Sequence, residues 1–254
     1  MKKFAIYTLI AILTFVSFLA VFAPASLVWR QVQTPLQNQV PDLSVTTVRG
    51  TLWDGKAEIF YRQFPGSLLS WQITASGLLR QQVQADLQLK GEGHEIESVL
   101  TAERDNLQVH SLLGYIDSSY INRVSQPQGL TFIGTVEVQD LSLQSDLKWI
   151  QQATGRVYWS GGKIVSRTTA AGTRVFDLPA LVGDLAMQGR NINLTIHPND
   201  SNQTLIEIVL KPDGWVVVAV KARLFDLAGL AWPSGSSLED TVLQFEEQVL
   251  RGAR

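Results

Sequence analysis

Two periodicities divide the chain. From Phe4 to Ala23 the sequence reads FAIYTLIAILTFVSFLAVFA, with Lys2 and Lys3 in front and no further charge until Arg30. At ~1.5 Å rise per residue, about twenty such residues make a helix as long as the ~30 Å hydrocarbon core of a bilayer. The run predicts a transmembrane helix over 4–23, anchored in lipid by Phe4, Ile6, Leu9, Leu13, Phe15, Phe18 and Val21. Ala23-Pro24-Ala25 also has the small-x-small form of a signal-peptidase site, so a cleaved leader is the alternative. The run is longer than the ~7–15 apolar residues usual in a leader and has an aromatic, Trp29, at its far edge, which favours the retained anchor. Either way Lys2 and Lys3 hold residues 1–3 in the cytoplasm and send the chain from about Arg30 outward.

Beyond that segment the pattern changes from continuous to alternating. Residues 24–41 are rich in Gln, Asn and Pro (Gln31, Gln33, Pro35, Gln37, Asn38, Gln39) and show no apolar periodicity, which predicts a short lead-in. From residue 42 to 254 the period is mostly two. In Gln82 to Lys90 the apolar Val83, Ala85, Leu87 and Leu89 fall on one face and Gln, Asp and Lys on the other. Leu130, Phe132, Gly134, Val136 and Val138 repeat this, as do Ile192, Leu194 and Ile196. One buried and one wet face is the habit of antiparallel sheets. Leu205 to Leu210 and Trp215 to Val220, joined by Pro212-Asp213-Gly214, predict a hairpin covered on both faces.

Two stretches interrupt the alternation. Leu112, Leu113, Tyr115, Ile116, Tyr120 and Ile121 predict a short helix or packed loop ended by Pro127. Ser237-Leu238-Glu239-Asp240 matches a capping-box start, and Leu238, Val242, Phe245 and Val249 recur at helical spacing, predicting a short C-terminal helix. The fold class is therefore mainly β: an N-terminal transmembrane helix, then a twisted, largely antiparallel sheet domain, then a short helix. A division into two related halves is suggested by an echo. Gly50-Thr51-Leu52-Trp53-Asp54-Gly55-Lys56 resembles Gly155-Arg156-Val157-Tyr158-Trp159-Ser160-Gly161-Gly162-Lys163, so units opening near 48 and 154, each with a hairpin, are expected.

Composition narrows the chemistry. The chain has no Cys, which removes disulfide scaffolds, thiol nucleophiles and cysteine-ligated metals. A net charge of -2 and a pI near 5.9 supply no electrostatic footprint for nucleic acid. The mean hydropathy of +0.08 is high for a soluble protein and is concentrated in Phe4 to Ala23. Of the three His, only His94 lies among carboxylates, in Glu92-Gly93-His94-Glu95-Ile96-Glu97. In a strand His94 points away from Glu95 and Glu97, so a metal site or a hydrolase using Glu92, His94 and Glu95 is the lesser reading. Ser160-Gly161-Gly162-Lys163 lacks the flanking positions of a phosphate loop, since Val157 and Ile164 stand where Gly and Ser or Thr are required. The triplets at Asn193, Asn199 and Asn202 read as strand ends and a turn. Trp53, Trp71, Trp149, Trp159, Trp215 and Trp232 read as core or groove lining. These readings predict a non-enzymatic protein with no cofactor and no metal.

Taken together, the anchor, the Cys-free β domain, the opening with Gly50, Leu52, Trp53 and Gly55, the strand with Gly155 and Trp159, and the Pro212-Asp213-Gly214-Trp215 hairpin resemble the protein N family of the bacterial type II (general) secretion pathway. The resemblance implies a single-pass inner-membrane protein with a periplasmic domain, an accessory to export of proteins across the outer membrane. Its partners would be other inner-membrane platform proteins of that system, with membrane lipid met through the N-terminal helix. No catalytic residues come with it. The Gly and Trp opening is also similar to larger periplasmic β-groove proteins of the AsmA type, a fold-level analogy whose implied alternative is binding or carrying lipid.

Overall fold

Antiparallel pairing dominates the molecule, and it follows from the alternation. The computed structural model describes residues 2–40, 42–62, 64–74, 77, 81–126, 129–168, 172–232 and 235–249. The chain begins with helices α1 (Lys2–Val21) and α2 (Ala25–Gln39). Strands β1 (Leu43–Gly50), β2 (Asp54–Tyr61), β3 (Ser67–Thr74), β4 (Val83–Gly91), β5 (His94–Ala102) and β6 (Leu107–Asp117) form a meander, followed by α3 (Ser118–Ser125). Then come β7 (Leu130–Phe132), β8 (Thr135–Ser145), β9 (Ile150–Trp159), β10 (Gly162–Thr168), β11 (Gly172–Leu178), β12 (Leu181–Gln188) and β13 (Asn191–Pro198). The chain finishes with β14 (Ile206–Leu210), β15 (Trp215–Lys221), α4 (Ala222–Leu227) and β16 (Thr241–Gln248).

Among the described residues the strands make two sheets. The larger has thirteen strands in the order β1-β2-β3-β4-β5-β6-β8-β9-β12-β13-β14-β15-β16, and the smaller has three, β11-β10-β7. The two are related by connectivity. β7 runs into β8 through Ile133 and Gly134, β9 into β10 through Ser160 and Gly161, and β11 into β12 through Pro179 and Ala180. The order β7-β10-β11 therefore copies the order β8-β9-β12: the small sheet is a continuation of those three strands, folded over at a single line.

That line is built by backbone-to-backbone approach. Gly161 has φ +78°, and a Cβ there would lie 2.8 Å from the Ala180 nitrogen and from the Pro179 carbonyl carbon. A Cβ on Gly134 would lie 2.6 Å from the Trp159 indole nitrogen. The Ile133 amide donates to the Lys163 carbonyl (3.0 Å) and the Ser160 amide to the Thr135 carbonyl (3.3 Å), so pairing is kept across the bend. At the outer edge of the small sheet, Asn122 of α3 donates to the Phe132 carbonyl (2.8 Å) and accepts from the Phe132 amide (2.7 Å). A buried carboxamide thus completes the edge strand as a neighbouring backbone would.

The predicted strands are present, with instructive exceptions. Val83–Gly91 alternates as expected, with Ala85 buried and Gln84, Asp86 and Lys90 exposed. The run from Leu130 to Val138 is two strands in different sheets, because Ile133 and Gly134 form the bend. Leu107–Asp117 is one strand, and the expected helix is confined to Ser118–Ser125, capped by the Asp117 carboxylate accepting from the Ser119 amide at 2.7 Å. Pro127 lies outside the described residues. The hairpin at Pro212-Asp213-Gly214 forms as predicted, Gly214 taking φ +84°. The lead-in, read from sequence as lacking apolar periodicity, is helical: Ala25, Trp29, Gln33, Leu36 and Val40 are its less exposed positions, and Pro35 sits on the exposed side.

The largest correction is at the C-terminus. A short helix does lie near the end, at Ala222–Leu227, but the segment from Ser237 is not helical, and Thr241–Gln248 pairs with β15 along its length. The unpaired edge of β15 supplies a full ladder, which outweighs local helical spacing. Ser237-Leu238-Glu239-Asp240 still caps, since the Asp240 carboxylate accepts from the Ser237 amide at 2.7 Å, but it closes a turn. That turn's carbonyls then receive the first amides of α4, Ala222 to Asp240 (2.9 Å) and Arg223 to Leu238 (3.0 Å). The echo is corrected as well: β1 and β2 pair as a hairpin, whereas β9 and β10 do not pair and belong to different sheets.

Gly161→Ala should destabilise the full chain by about 1–3 kcal/mol, because the left-handed φ and the backbone contact cannot both be relieved. Gly189 has φ +62° with nothing within 4 Å of the place a methyl would take, so Gly189→Ala should cost clearly less. Thermal unfolding followed by tryptophan fluorescence checks the pair, and equal losses would refute the packing argument.

Candidate functional site

Folding the small sheet over the large one leaves a space between them. It has a volume of about 710 Å³, and Leu224 and Phe225 of α4 are among its lining residues. Phe132, Ile164 and Phe176 line it from the small sheet, and Val157, Leu194 and Val218 from the large one. On β11 the inward positions are Leu178, Phe176 and Arg174, which pass in that order from buried through half-buried to exposed. Arg174 is the register partner of Ser166, which also lines the space. The cavity is thus largely apolar, with Ser166 and Arg174 at the end of the small sheet away from the bend and the Trp159 indole at the bend. Leu243 and Phe245 of edge strand β16 also line it and are 47% and 52% exposed.

A second construction joins the N-terminal helices to the sheet. The Leu52 amide donates to the Ala23 carbonyl at 2.8 Å, and Pro24 makes an isolated bridge with Thr51. The Trp71 indole donates to the Leu52 carbonyl at 3.1 Å and covers Gly55 so closely that a Cβ there would strike the ring. Thr51 and Asp54 close the β1–β2 turn, and the Trp53 carbonyl accepts from the Ile73 amide at 2.6 Å. Gly50, Leu52, Trp53 and Gly55, singled out from sequence, therefore meet in one place. They form the joint between the helix pair and the sheet, next to which Ala25, the first residue of α2, is buried.

The remaining motif residues are not brought to that joint. Gly155 lies within β9, where a Cβ would sit 2.6 Å from the Leu141 Cα, and Trp159 stands at the bend and lines the cavity. Pro212, Asp213, Gly214 and Trp215 form the distant β14–β15 turn, fastened to the end of β16 by the Val249 amide donating to the Gly214 carbonyl at 2.9 Å. Of the anchor residues, Phe15, Phe18 and Val21 are 62%, 58% and 56% exposed on α1. The side chains of Phe4, Ile6, Leu9 and Leu13 lie outside the described residues. Among the described residues no helix is long and apolar enough to cross a membrane.

The polar clusters are structural in their geometry. His94 is 2% exposed, its Nε2 is 2.9 Å from the Ser67 hydroxyl and its ring packs on Tyr120 at 4.5 Å. Glu95 instead takes Lys90 at 3.0 Å, and Glu92 faces Arg123 at 3.6 Å, so the three residues of the hydrolase reading diverge. Among the described residues no group of three or more His, Asp or Glu is placed to hold a metal ion. Asn193 is buried in β13, donating to Gln188 and Glu207, while Asn199 and Asn202 are exposed beyond it.

On the face of the large sheet away from the cavity, His197 Nε2 lies 2.9 Å from Asp184, whose other oxygen accepts from Arg156 at 2.9 Å. His197 Nδ1 faces the carbonyls of Pro198 (2.8 Å) and Ser201 (2.7 Å). Both ring nitrogens thus meet acceptors, which suits the imidazolium. Burial works against the charge, but the Asp184 carboxylate and the two carbonyls outweigh it, so the His197 pKa is raised above its ordinary 6.5. The His197 hydrogen bond, opposed by burial and helped by Arg156, holds Asp184 below the ordinary carboxylate value.

The sequence reading missed the cavity, whose lining comes from β10, β11, β16 and α4 as well as from the predicted strands. Its signal was present as alternation, in Ile164 and Ser166, in Arg174, Phe176 and Leu178, and in Leu243 and Phe245.

A large antiparallel sheet joined to an N-terminal helix pair, with its Gly and Trp motif at the joint, defines a mainly β class of protein. The family model for type II secretion system (T2SS), protein N matches residues 41–228, from the start of β1 through α4, and the chain belongs to that family. No curated protein and no solved structure matches the chain.

The His197 pair gives a pH dependence of defined sign. A raised folded pKa means its stabilisation is complete below about 6.5, the unfolded value, and is lost as pH rises through the folded value. Thermal unfolding across that window should show stability falling, and His197→Gln should flatten this part of the curve. An unchanged slope in the variant would show that His197 is not the titrating group.

Proposed function

We propose that the protein is an inner-membrane accessory component of the type II secretion system, taking part in export through protein-protein contacts made by a periplasmic sheet domain. Its membership of the protein N family supports a role in that system. The observation that carries the membrane part of the reading is the joint. Hydrogen bonding of Leu52 to Ala23 and the bridge from Thr51 to Pro24 fasten the link between α1 and α2 to the sheet, which supports reading α1 as a retained mount. The run from Phe4 to Ala23 contains no charge. Lys2 and Lys3 favour a cytoplasmic N-terminus and a periplasmic sheet.

A contact surface suited to other platform proteins is the edge strand β16, which presents unpaired backbone groups to a partner strand. A non-catalytic role is supported by the way Glu92, His94 and Glu95 point apart, and by the net charge of -2, which gives nucleic acid no hold.

Full-length tagged protein cross-linked in intact cells should co-purify with inner-membrane secretion components and sediment with membranes. N-terminal sequencing of the membrane-extracted chain should begin at Met1 or Lys2, whereas a start at or after Pro24 would show a removed leader. A clean pull-down together with unimpaired exoprotein secretion in a deletion strain would overturn the secretion role.

A further inference from the structure

The cavity between the two sheets has chemistry that nothing in the secretion role uses. Its volume of about 710 Å³ lies within the ~300–1,000 Å³ of small-ligand sites. At ~30 Å³ for a group the size of a water molecule, it has room for about two dozen methylene-sized groups. Among its lining residues only Ser166, Arg174 and the Trp159 indole carry a polar side-chain atom. A ligand that fills it must therefore be largely apolar, and a hydrocarbon chain fits that lining.

Backbone accounting decides between hydrocarbon and peptide. β9, β12, β13, β14 and β15, which floor the cavity, each have a hydrogen-bonded neighbour on both sides, so their amides and carbonyls are already paired. A peptide lying over this floor, away from the free edge of β16, would bury its own amides without partners. An acyl chain carries no such groups. Burying it is favourable for every methylene removed from water.

Charge then selects the head group. Arg174 is exposed at the polar end of the inward row on β11, beside Ser166, and makes no ion pair among the described residues. A guanidinium there complements an anion lying just outside the apolar space, and its fork suits phosphate. Leu243 and Phe245 give the lining an exposed apolar rim along which a chain can enter. We infer that the cavity is a binding site for an acyl chain of an anionic membrane phospholipid, with Arg174 holding the phosphate-bearing head group. The inference rests on the proposed membrane attachment only for the source of the lipid.

Photolabelling tests this on the full chain reconstituted in phosphatidylcholine vesicles. The probe is a phosphatidylglycerol with a diazirine near the end of one acyl chain, and a phosphatidylcholine carrying the same chain is the control. The anionic probe should label peptides containing Ile164, Phe176, Leu194 or Val218. Gly183→Leu, which adds bulk to the cavity floor against Leu194, should cut that labelling several-fold, as should Leu194→Trp if the first variant folds poorly. Arg174→Glu should remove the preference for the anionic probe. Near-ultraviolet circular dichroism identifies any misfolded variant. Labelling of α1 without labelling of the cavity overturns the site while leaving the anchor standing. Cavity labelling without α1 labelling keeps the site and overturns the anchor. Equal labelling by both probes, unmoved by Arg174→Glu, overturns the head-group assignment.

Discussion

The arrangement of this protein depends on one constraint: three adjacent strands must cross the same line and turn without losing their antiparallel pairing. Backbone approaches so closely at Gly134, Gly161 and Gly162 that a side chain at any of them would strike a neighbouring carbonyl, amide or the Trp159 ring. Because the bend falls at matched points between β7 and β8, β9 and β10, and β11 and β12, the order of the strands is preserved on both sides of it. A sheet that simply continued flat would have exposed both faces of these strands. Folded over, it encloses an apolar space and turns Phe132, Ile164 and Phe176 from an outer surface into a lining.

The same sheet also coils along its length. Arg62, just past β2, takes Asp42 at 2.9 Å and Glu247 of the last strand at 3.3 Å, so the two ends of a thirteen-stranded sheet come within side-chain reach of each other. Right-handed twist summed over many strands produces such curvature. These are exposed pairs, worth little in energy, and they mark where the ends lie without holding them there. The firmer attachment is at the N-terminal joint, where backbone hydrogen bonds and the Trp71 ring over Gly55 tie the helix pair to the first hairpin.

Two segments show how local pattern and tertiary setting compete. Thr241–Gln248 carries apolar residues at both helical and alternating spacing, and in isolation the helical reading has the support of a capping sequence. The free edge of β15 decides for the strand, since seven cross-strand pairs follow from accepting it. In residues 25–39 the competition ran the other way. Pro35 and the Gln-rich composition disguised a helix whose inward positions, Ala25, Trp29, Leu36 and Val40, are stabilised by what they pack on.

Alternation by itself determined the sheet class, the separate N-terminal run and the turn at Pro212-Asp213-Gly214, because each depends on side-chain periodicity or on φ preferences of neighbouring residues. The Gly and Trp motif was legible as a motif, and its resemblance pointed to the family that the chain proved to belong to. What the motif does was decided only by tertiary structure, since the partners of Leu52 and Gly55 are Ala23 and Trp71, far away in sequence. The cavity was hidden for the same reason. Its walls are ordinary half-buried strand residues, identical in pattern to the rest of the sheet, and only the fold-over at the glycine line brings two such faces together around an unfilled space.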